Sequence, residues 1–351
     1  MTDMTTTAKP EAAAVNRIGL SKADYNGSPS TLCNGCGHYA IANVIINVAY
    51  ELGLDPTRIA KISGIGCSSK SPAYFLGRSH SINGLHGRMP SLATGATTVN
   101  KELVAIGVSG DGDTGSIGLG QFKHLLRRNV DMVYLIENNG VYGLTKGQLS
   151  ATADLGQKLR HGGINETPPL DLCLEAIIAG CGFVARSFAG DPKQLQALLK
   201  AAFSHRGTAV LNIISPCVSF NNGEGSTKSY VWGREHEQPL HEIEFVPLQH
   251  DEIKADYEPG TIREVVLHDG SIIRLKKTGQ DYDPADRMAA IRLLEEERVG
   301  ELFTTGLLYL NEGRQTLAEQ AKLVALPLVQ LPNEKLRPLQ SALNQINAEY
   351  S

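Results

Sequence analysis

Two clusters of residues have the type and spacing to do chemistry. Cys33 and Cys36 form a CxxC within TLCNGCGH, and Asp111 and Asp113 flank Gly112 within VAIGVSGDGDTGSIGLGQF. Asn138 and Asn139 then stand side by side before GVYG, with Asn139 placed 28 residues after Asp111. Two further cysteines, Cys67 in GIGCSSK and Cys217 in SPCVS, each follow an apolar run of strand length. Four thiolates suit either a zinc ion or an iron–sulfur cluster, and the spacing alone does not choose between them. A carboxylate and a carboxamide at the ends of neighbouring strands suit a hard divalent cation such as Mg²⁺.

The glycine-rich turn admits two readings. Gly110, Gly112 and Gly115 satisfy G-x-G-x-x-G between a strand and a helix, which by itself suggests a dinucleotide site, with Glu137 near where a ribose-binding acid belongs. Asp111 and Asp113 argue against it. A bare pyrophosphate is held by backbone N–H groups and the positive end of a helix, and two carboxylates at its lip repel it. They make sense when a cation stands between protein and diphosphate, with a second oxygen donor from Asn139 and a backbone carbonyl exposed by the following turn. Asp113 is also read as an N-cap for the next helix.

The elements that must hold these residues follow from periodicity. Residues 38–53 carry apolar positions at helical spacing, and 58–63 read as a short buried strand. A glycine-punctuated loop and a helix fill 71–100, a strand covers 103–108, a helix 117–128 and a strand 132–136. A long loop spans 140–168 and is expected to be functional or to face a partner. Helix near 170–180, strand 183–188, helix 193–204 and strand 209–214 complete an alternation that predicts an α/β fold, a mostly parallel sheet with helices on both faces. Composition shifts after about 235. Residues 262–277 read as a hairpin around Asp269-Gly270, and the chain from about 284 reads as charged and helical. This segment is a small α+β C-terminal extension, structural or in subunit contact. Cys173 and Cys181 lie in an apolar helical run and are expected in the core.

CNGCGH, GIGCSSK, LHGR, GDGD, RRNVDMVYLIENNGVYGLTKGQ and SPC, in that order over about residues 25–235, resemble the β subunit of 2-oxoacid:ferredoxin oxidoreductases. The GDG and NN at their separation are similar to the diphosphate motif of thiamine-diphosphate enzymes. The resemblance implies a thiamine-diphosphate-binding fold and three cofactors: thiamine diphosphate, Mg²⁺ and one [4Fe–4S] cluster. By position, Cys33, Cys36, Cys67 and Cys217 would hold the cluster. Asp111 and Asn139 would bind Mg²⁺ through side chains and Val141 through its carbonyl. Gly110, Gly112, Asp113, Gly143, Leu144 and Lys146 would line the cofactor, Lys146 serving equally as charge balance for Asp111 and Asp113. Lys70 would meet a substrate carboxylate, or else stand as a solvated surface lysine. His86 and Arg88 would contact cofactor or substrate, and His38 would pack beside the cluster.

The implied reaction is oxidative decarboxylation of a 2-oxoacid with coenzyme A, electrons leaving through the cluster to ferredoxin, with the reverse direction formally open. 2-Oxoglutarate is preferred over pyruvate as the acid. A separate α subunit is expected to supply the aminopyrimidine half of the site. Domain expectations are an arm at 1–24, the cofactor-binding domain at 25–235 and the extension at 236–351. The rivals are a nicotinamide oxidoreductase and a zinc-stapled interaction module.

Bulk properties fit this reading. The chain has 351 residues, 42% hydrophobic and 20% charged, a folded composition. Its net charge of −4 gives no basic footprint for nucleic acid. The sequence has no run of about 18 apolar residues, so no membrane span is expected, and the Thr/Ala-rich N-terminus lacks a signal core, which leads to a cytoplasmic expectation.

Overall fold

The computed structural model describes residues 14–158, 163–248, 262–277, 282–297 and 303–350. Most of the expected 1–24 arm, and part of the 140–168 loop, lie outside these residues. The central sheet is built from β1 (Ile59–Ser63), β2 (His80–Asn83), β3 (Val104–Gly110), β4 (Met132–Asn138), β7 (Phe183–Phe188), β8 (Thr208–Ile214), β9 (Glu237–Pro239) and β13 (Phe303–Leu310). Its strand order is β2-β1-β3-β4-β8-β7-β13-β9. The first six strands run parallel, as expected; β13 pairs antiparallel with β7 and β9 parallel with β13. A two-stranded ribbon, β5 (Val141–Tyr142) and β6 (Gln148–Leu149), follows β4. A three-stranded antiparallel sheet has the order β10 (His241–Val246), β12 (Ile272–Lys277), β11 (Ile262–Val266), so the hairpin expected at 262–277 is present.

Two cores sandwich the main sheet. On one face lie α1 (Gly37–Glu51) and α5 (Pro192–Ser204), with Ile41, Ile45 and Val48 meeting Leu195 and Leu198, and the small sheet adds Ile273 and Leu275 to the same cluster. On the other lie α2 (Met89–Val99), α3 (Leu119–Arg128), α4 (Leu172–Ile178) and α7 (Arg287–Glu297), contributing Met89, Phe122, Leu172 and Leu294. Cys173 and Cys181 are fully buried in this second core, as expected. Local signals set the helix ends. Asp171 accepts the Cys173 and Leu174 N–H groups at 2.8 and 3.0 Å, and Asp191 accepts Gln194 N–H at 3.1 Å just before Pro192.

The sheet takes strands from both sides of residue 235. All eight residues of β13 are buried, within a segment that its charged surroundings make look helical. Arg186 of β7 forms buried ion pairs with Asp171 at 2.5 Å and with Glu297 of α7 at 2.7 Å, tying the late segment to the early one. Helix α6 (Tyr230–His236) leads into β9, and short helices α8 (Leu317–Gln320), α9 (Asn333–Leu336) and α10 (Gln340–Glu349) end the chain. Among the described residues, no helix is long and apolar enough to cross a membrane.

Candidate functional site

Strand ends converge on one cleft. Its walls come from the ends of β1, β3 and β4 and the ribbon after β4, with an empty space of about 410 Å³ lined by His38, Cys67, His86, Asp111, Glu137, Asn139 and their neighbours. Such convergence at the carboxyl ends of parallel strands is the usual placement of a ligand in this class of sheet.

Asp111 lies at the floor, 1% exposed. Thr152 Oγ1 donates to its Oδ2 at 2.6 Å, Ser150 Oγ donates to the same oxygen, and Asn139 N–H reaches Oδ1 at 3.3 Å. Burial raises its pKa, against the hydrogen bonds that lower it. No cationic side chain is among the groups shifting it, so this is a buried carboxylate suited to a cation from outside the chain. Asn139 holds its turn by accepting Val141 N–H at 3.0 Å through Oδ1, which leaves that oxygen a second lone pair. Its carbonyl is fixed by Asn221 Nδ2 at 2.9 Å. Tyr142 OH donates to Gly112 O at 3.0 Å, joining the two motifs across the cleft. A Cβ at Gly112 would come within 2.5 Å of the Tyr142 ring, so only glycine permits this approach. The donors present fit a Mg²⁺–diphosphate.

Asp113 is not the cap for the next helix that one reading expected. Its Oδ1 accepts from His86 Nδ1 at 2.6 Å and from Gly87 N–H at 2.8 Å, and its Oδ2 from Ser109 Oγ at 3.1 Å. It therefore anchors the LHGR loop over the cleft.

The four motif cysteines sit at the adjoining end. A Cβ at Gly143 would stand 3.5 Å from Cys67 Sγ and 3.6 Å from Cys217 Sγ, and Ser219 Oγ lies 3.4 Å from Cys33 Sγ. Burial raises the thiols of Cys36, Cys67 and Cys217; neighbouring thiols add to this in each case. A zinc ion with thiolate bonds of about 2.3 Å would draw its sulfurs to roughly 3.8 Å of one another. Among the described residues these thiols do not gather within 4.8 Å as a group of three or more.

The remaining expected residues divide. Gly110, Val141, Gly143 and Leu144 line the cleft with Asp111, Asp113 and Asn139. Lys70, Arg88 and Lys146 do not. Lys70 bonds its N–H to Cys67 O at 3.1 Å and stabilises the Cys67 thiolate electrostatically, Arg88 is exposed at the start of α2, and Lys146 is exposed in a left-handed turn with φ +80°. Sequence reasoning missed Ser150 and Thr152, two hydroxyls in the long loop that were its only signal. It noted Glu137 only as a ribose-binding acid. Glu137 is fully buried; Ser71 Oγ donates to its Oε2 at 2.9 Å, and its Oε1 has no hydrogen-bond partner. Burial raises its carboxyl well above the usual range.

Residues 64–213 match the family model of the thiamine pyrophosphate enzyme, C-terminal TPP binding domain. The chain is 43% identical over 194 residues to a 2-oxoacid:ferredoxin oxidoreductase subunit beta of Sulfolobus sp, an alignment covering 54% of this chain and 63% of that subunit. The match thus spans less than two thirds of that relative's length. It is 33% identical over 295 residues to 2-oxoacid:ferredoxin oxidoreductase 2, subunit beta, of Aeropyrum pernix, covering 82% of each. A solved structure of 2-oxoglutarate:ferredoxin oxidoreductase from Magnetococcus marinus, with 2-oxoglutarate, coenzyme A and succinyl-CoA bound, superposes with a TM-score of 0.71 at 31% identity, covering 89% of this chain and 92% of that one. These matches set aside the nicotinamide and zinc-module readings. By its motifs, its fold and this long alignment, the chain belongs to the family of 2-oxoacid:ferredoxin oxidoreductase beta subunits.

Proposed function

We propose that this chain is the diphosphate-binding and electron-transferring half of an enzyme that decarboxylates a 2-oxoacid oxidatively, forms an acyl-CoA and passes electrons to ferredoxin. One observation carries the reading: Asp111, Asn139 and Cys67 line one cleft, and Gly143 of that cleft stands against both Cys67 and Cys217. Thiamine diphosphate would supply the nucleophilic carbon and electron sink, and a [4Fe–4S] cluster one-electron transfer. The chain's own residues bind and orient. Asp111, Asn139 and the Val141 carbonyl hold Mg²⁺ on the diphosphate. Asp113 fixes His86 at the rim, where it contacts cofactor or substrate together with Arg88. The 2-oxoglutarate bound to the Magnetococcus relative supports that acid over pyruvate. Lys70 is proposed as the partner of its distal carboxylate.

Residues 25–235 account for the cofactor half-site, and 236–351 for structure and subunit contact. The aminopyrimidine half-site then belongs to a separate α subunit, reached across 84–90 and 140–148, and the assembly works in the cytoplasm. Expressing the chain with and without that subunit, and following 2-oxoacid-dependent viologen reduction under anaerobic conditions, tests the reading. Activity is expected only in the complex, with thiamine diphosphate, Mg²⁺ and coenzyme A all required. Full turnover by the purified chain alone would overturn the split site.

A further inference from the structure

Away from the cleft, His205, His268 and Glu312 come together from three distant segments. His205 follows α5, His268 sits in the β11–β12 hairpin and Glu312 lies two residues beyond β13. One donor atom of each lies within 4.8 Å of the others. His205 Nδ1 is 3.0 Å from Glu312 Oε1, and His268 Nδ1 faces Glu312 Oε2. The two imidazoles meet edge to face, with centroids 5.8 Å apart.

Each donor is held by its backbone. His205 N–H bonds Ala201 O at 3.0 Å, and its ring packs on Phe183 with centroids 5.5 Å apart. Glu312 lies between two bonds, Asn311 N–H to Gly182 O at 2.7 Å and Gly313 N–H to Asn311 Oδ1 at 3.0 Å. The His268 turn is closed by Leu267 N–H to Ser271 O and Gly270 N–H to Leu267 O, both at 2.8 Å. Donors fixed on rigid turns are what a preorganised ion site requires.

A hydrogen-bonded triad explains only half of this geometry. His205 Nδ1–H donating to Oε1 is a sound bond. His268 Nδ1 has no hydrogen-bond partner, although it faces the second oxygen. A cation shared by Nδ1 of both imidazoles and the carboxylate gives every one of these atoms a partner.

We propose that His205, His268 and Glu312 bind one divalent transition-metal ion of the zinc class. Two neutral imidazoles and a carboxylate are a borderline donor set that zinc takes readily, with water completing the tetrahedron. The His205 side chain is 1% exposed, while His268 and Glu312 are 16% and 26% exposed, so the ion has a fixed wall and an entry path. None of the three lines the cofactor cleft. The ion would staple the late hairpin and the exit of β13 to the end of α5.

The full-length chain, loaded with its iron–sulfur cluster and treated with a chelator, is equilibrated with Zn²⁺ alone. One zinc per chain is expected, with only nitrogen and oxygen neighbours by X-ray absorption, and the thermal midpoint should rise with added Zn²⁺. His268→Gln and Glu312→Gln should each weaken zinc binding by about tenfold or more while the brown absorbance stays. Zinc held only by sulfur, or bound as tightly by His268→Gln as by the wild type, would overturn the site. Absence of binding by the wild type at micromolar Zn²⁺ would do the same. The X-ray absorption reading on the wild type decides the matter even where a variant fails to fold.

Discussion

Asn139 Nδ2 lies 3.3 Å from His38 Nε2. The other ring nitrogen of His38 lies 2.6 Å from Ser215 Oγ. His38 is two residues past Cys36 and Ser215 two before Cys217, so one imidazole joins both cysteine segments to the turn that carries the Asn139 carboxamide. Asn139 donates to Nε2, which makes His38 neutral with its proton on Nδ1. Replacing it with leucine leaves Ser215 Oγ and Asn139 Nδ2 buried and unpaired. His38→Leu should lower stability by about 1–3 kcal/mol in urea unfolding, and His38→Gln by less. Equal loss from both variants would place the role in ring packing instead.

The same residue predicts a pH dependence. Burial lowers the His38 imidazole to about 4, below its unfolded value of about 6.5. Between those values the folded chain binds fewer protons than the unfolded one. The stability from neutral His38 is therefore complete above about pH 6.5 and is lost as pH falls toward 4, a span on the order of 3 kcal/mol. Glu137, 3.5 Å away and raised by burial, pushes the opposite way, so the imidazole is isolated by subtraction. Urea midpoints of wild type and His38→Gln should converge as pH drops from about 7 to about 4.5. A constant difference between them would contradict a buried neutral imidazole.

Asp111→Ala should weaken binding of thiamine diphosphate with Mg²⁺ to the assembled enzyme by about 10–100-fold or more, with the cluster retained. Isothermal titration at several Mg²⁺ concentrations measures this. An unchanged Mg²⁺ dependence would show that the ion is held elsewhere.

Cys→Ser at Cys33, Cys36, Cys67 or Cys217 should each remove the brown absorbance and the stoichiometric iron and sulfide of anaerobically purified protein. Cys173→Ser and Cys181→Ser should keep them, since both thiols are sealed in the core. Zinc in place of iron at the four sites would reject the cluster.

Lys70→Ala should lower kcat/KM for 2-oxoglutarate more than for pyruvate, by a margin of about 1.5–3 kcal/mol for one charge-assisted hydrogen bond. Lys70 lies outside the cleft lining but close enough to stabilise the Cys67 thiolate. An equal loss for both acids, accompanied by a shifted cluster potential, would assign it to the cluster.

The parallel sheet was legible because its strands are apolar runs bounded by glycine and alternate with amphipathic helices; β7 is where the alternation places it, at Phe183–Phe188. Several strands were not, and two of them show why. β2, His80–Asn83, is a polar edge strand exposed along its length, so it has no buried face to print on the sequence. β13, buried throughout, lacks the alternation that marks a half-buried strand, and charged neighbours disguised it. In the site, Asp111 and Asn139 were found through their spacing. Ser150 and Thr152 were not, because a hydroxyl in a loop carries no pattern until the fold brings it to a carboxylate.

The position of β13 also governs the order in which the protein can be made. More than a hundred residues separate Phe188, the end of β7, from Phe303, where β13 begins. Until those residues leave the ribosome, β7 presents an open row of backbone donors and acceptors beside the finished parallel strands. At about 5–20 residues per second, that edge stays bare for on the order of ten seconds. A nascent chain halted near residue 235 would carry it permanently, as a template for pairing with another copy. Holding such an intermediate apart from its neighbours is work for a chaperone, and the antiparallel arrival of β13 ends the need for one.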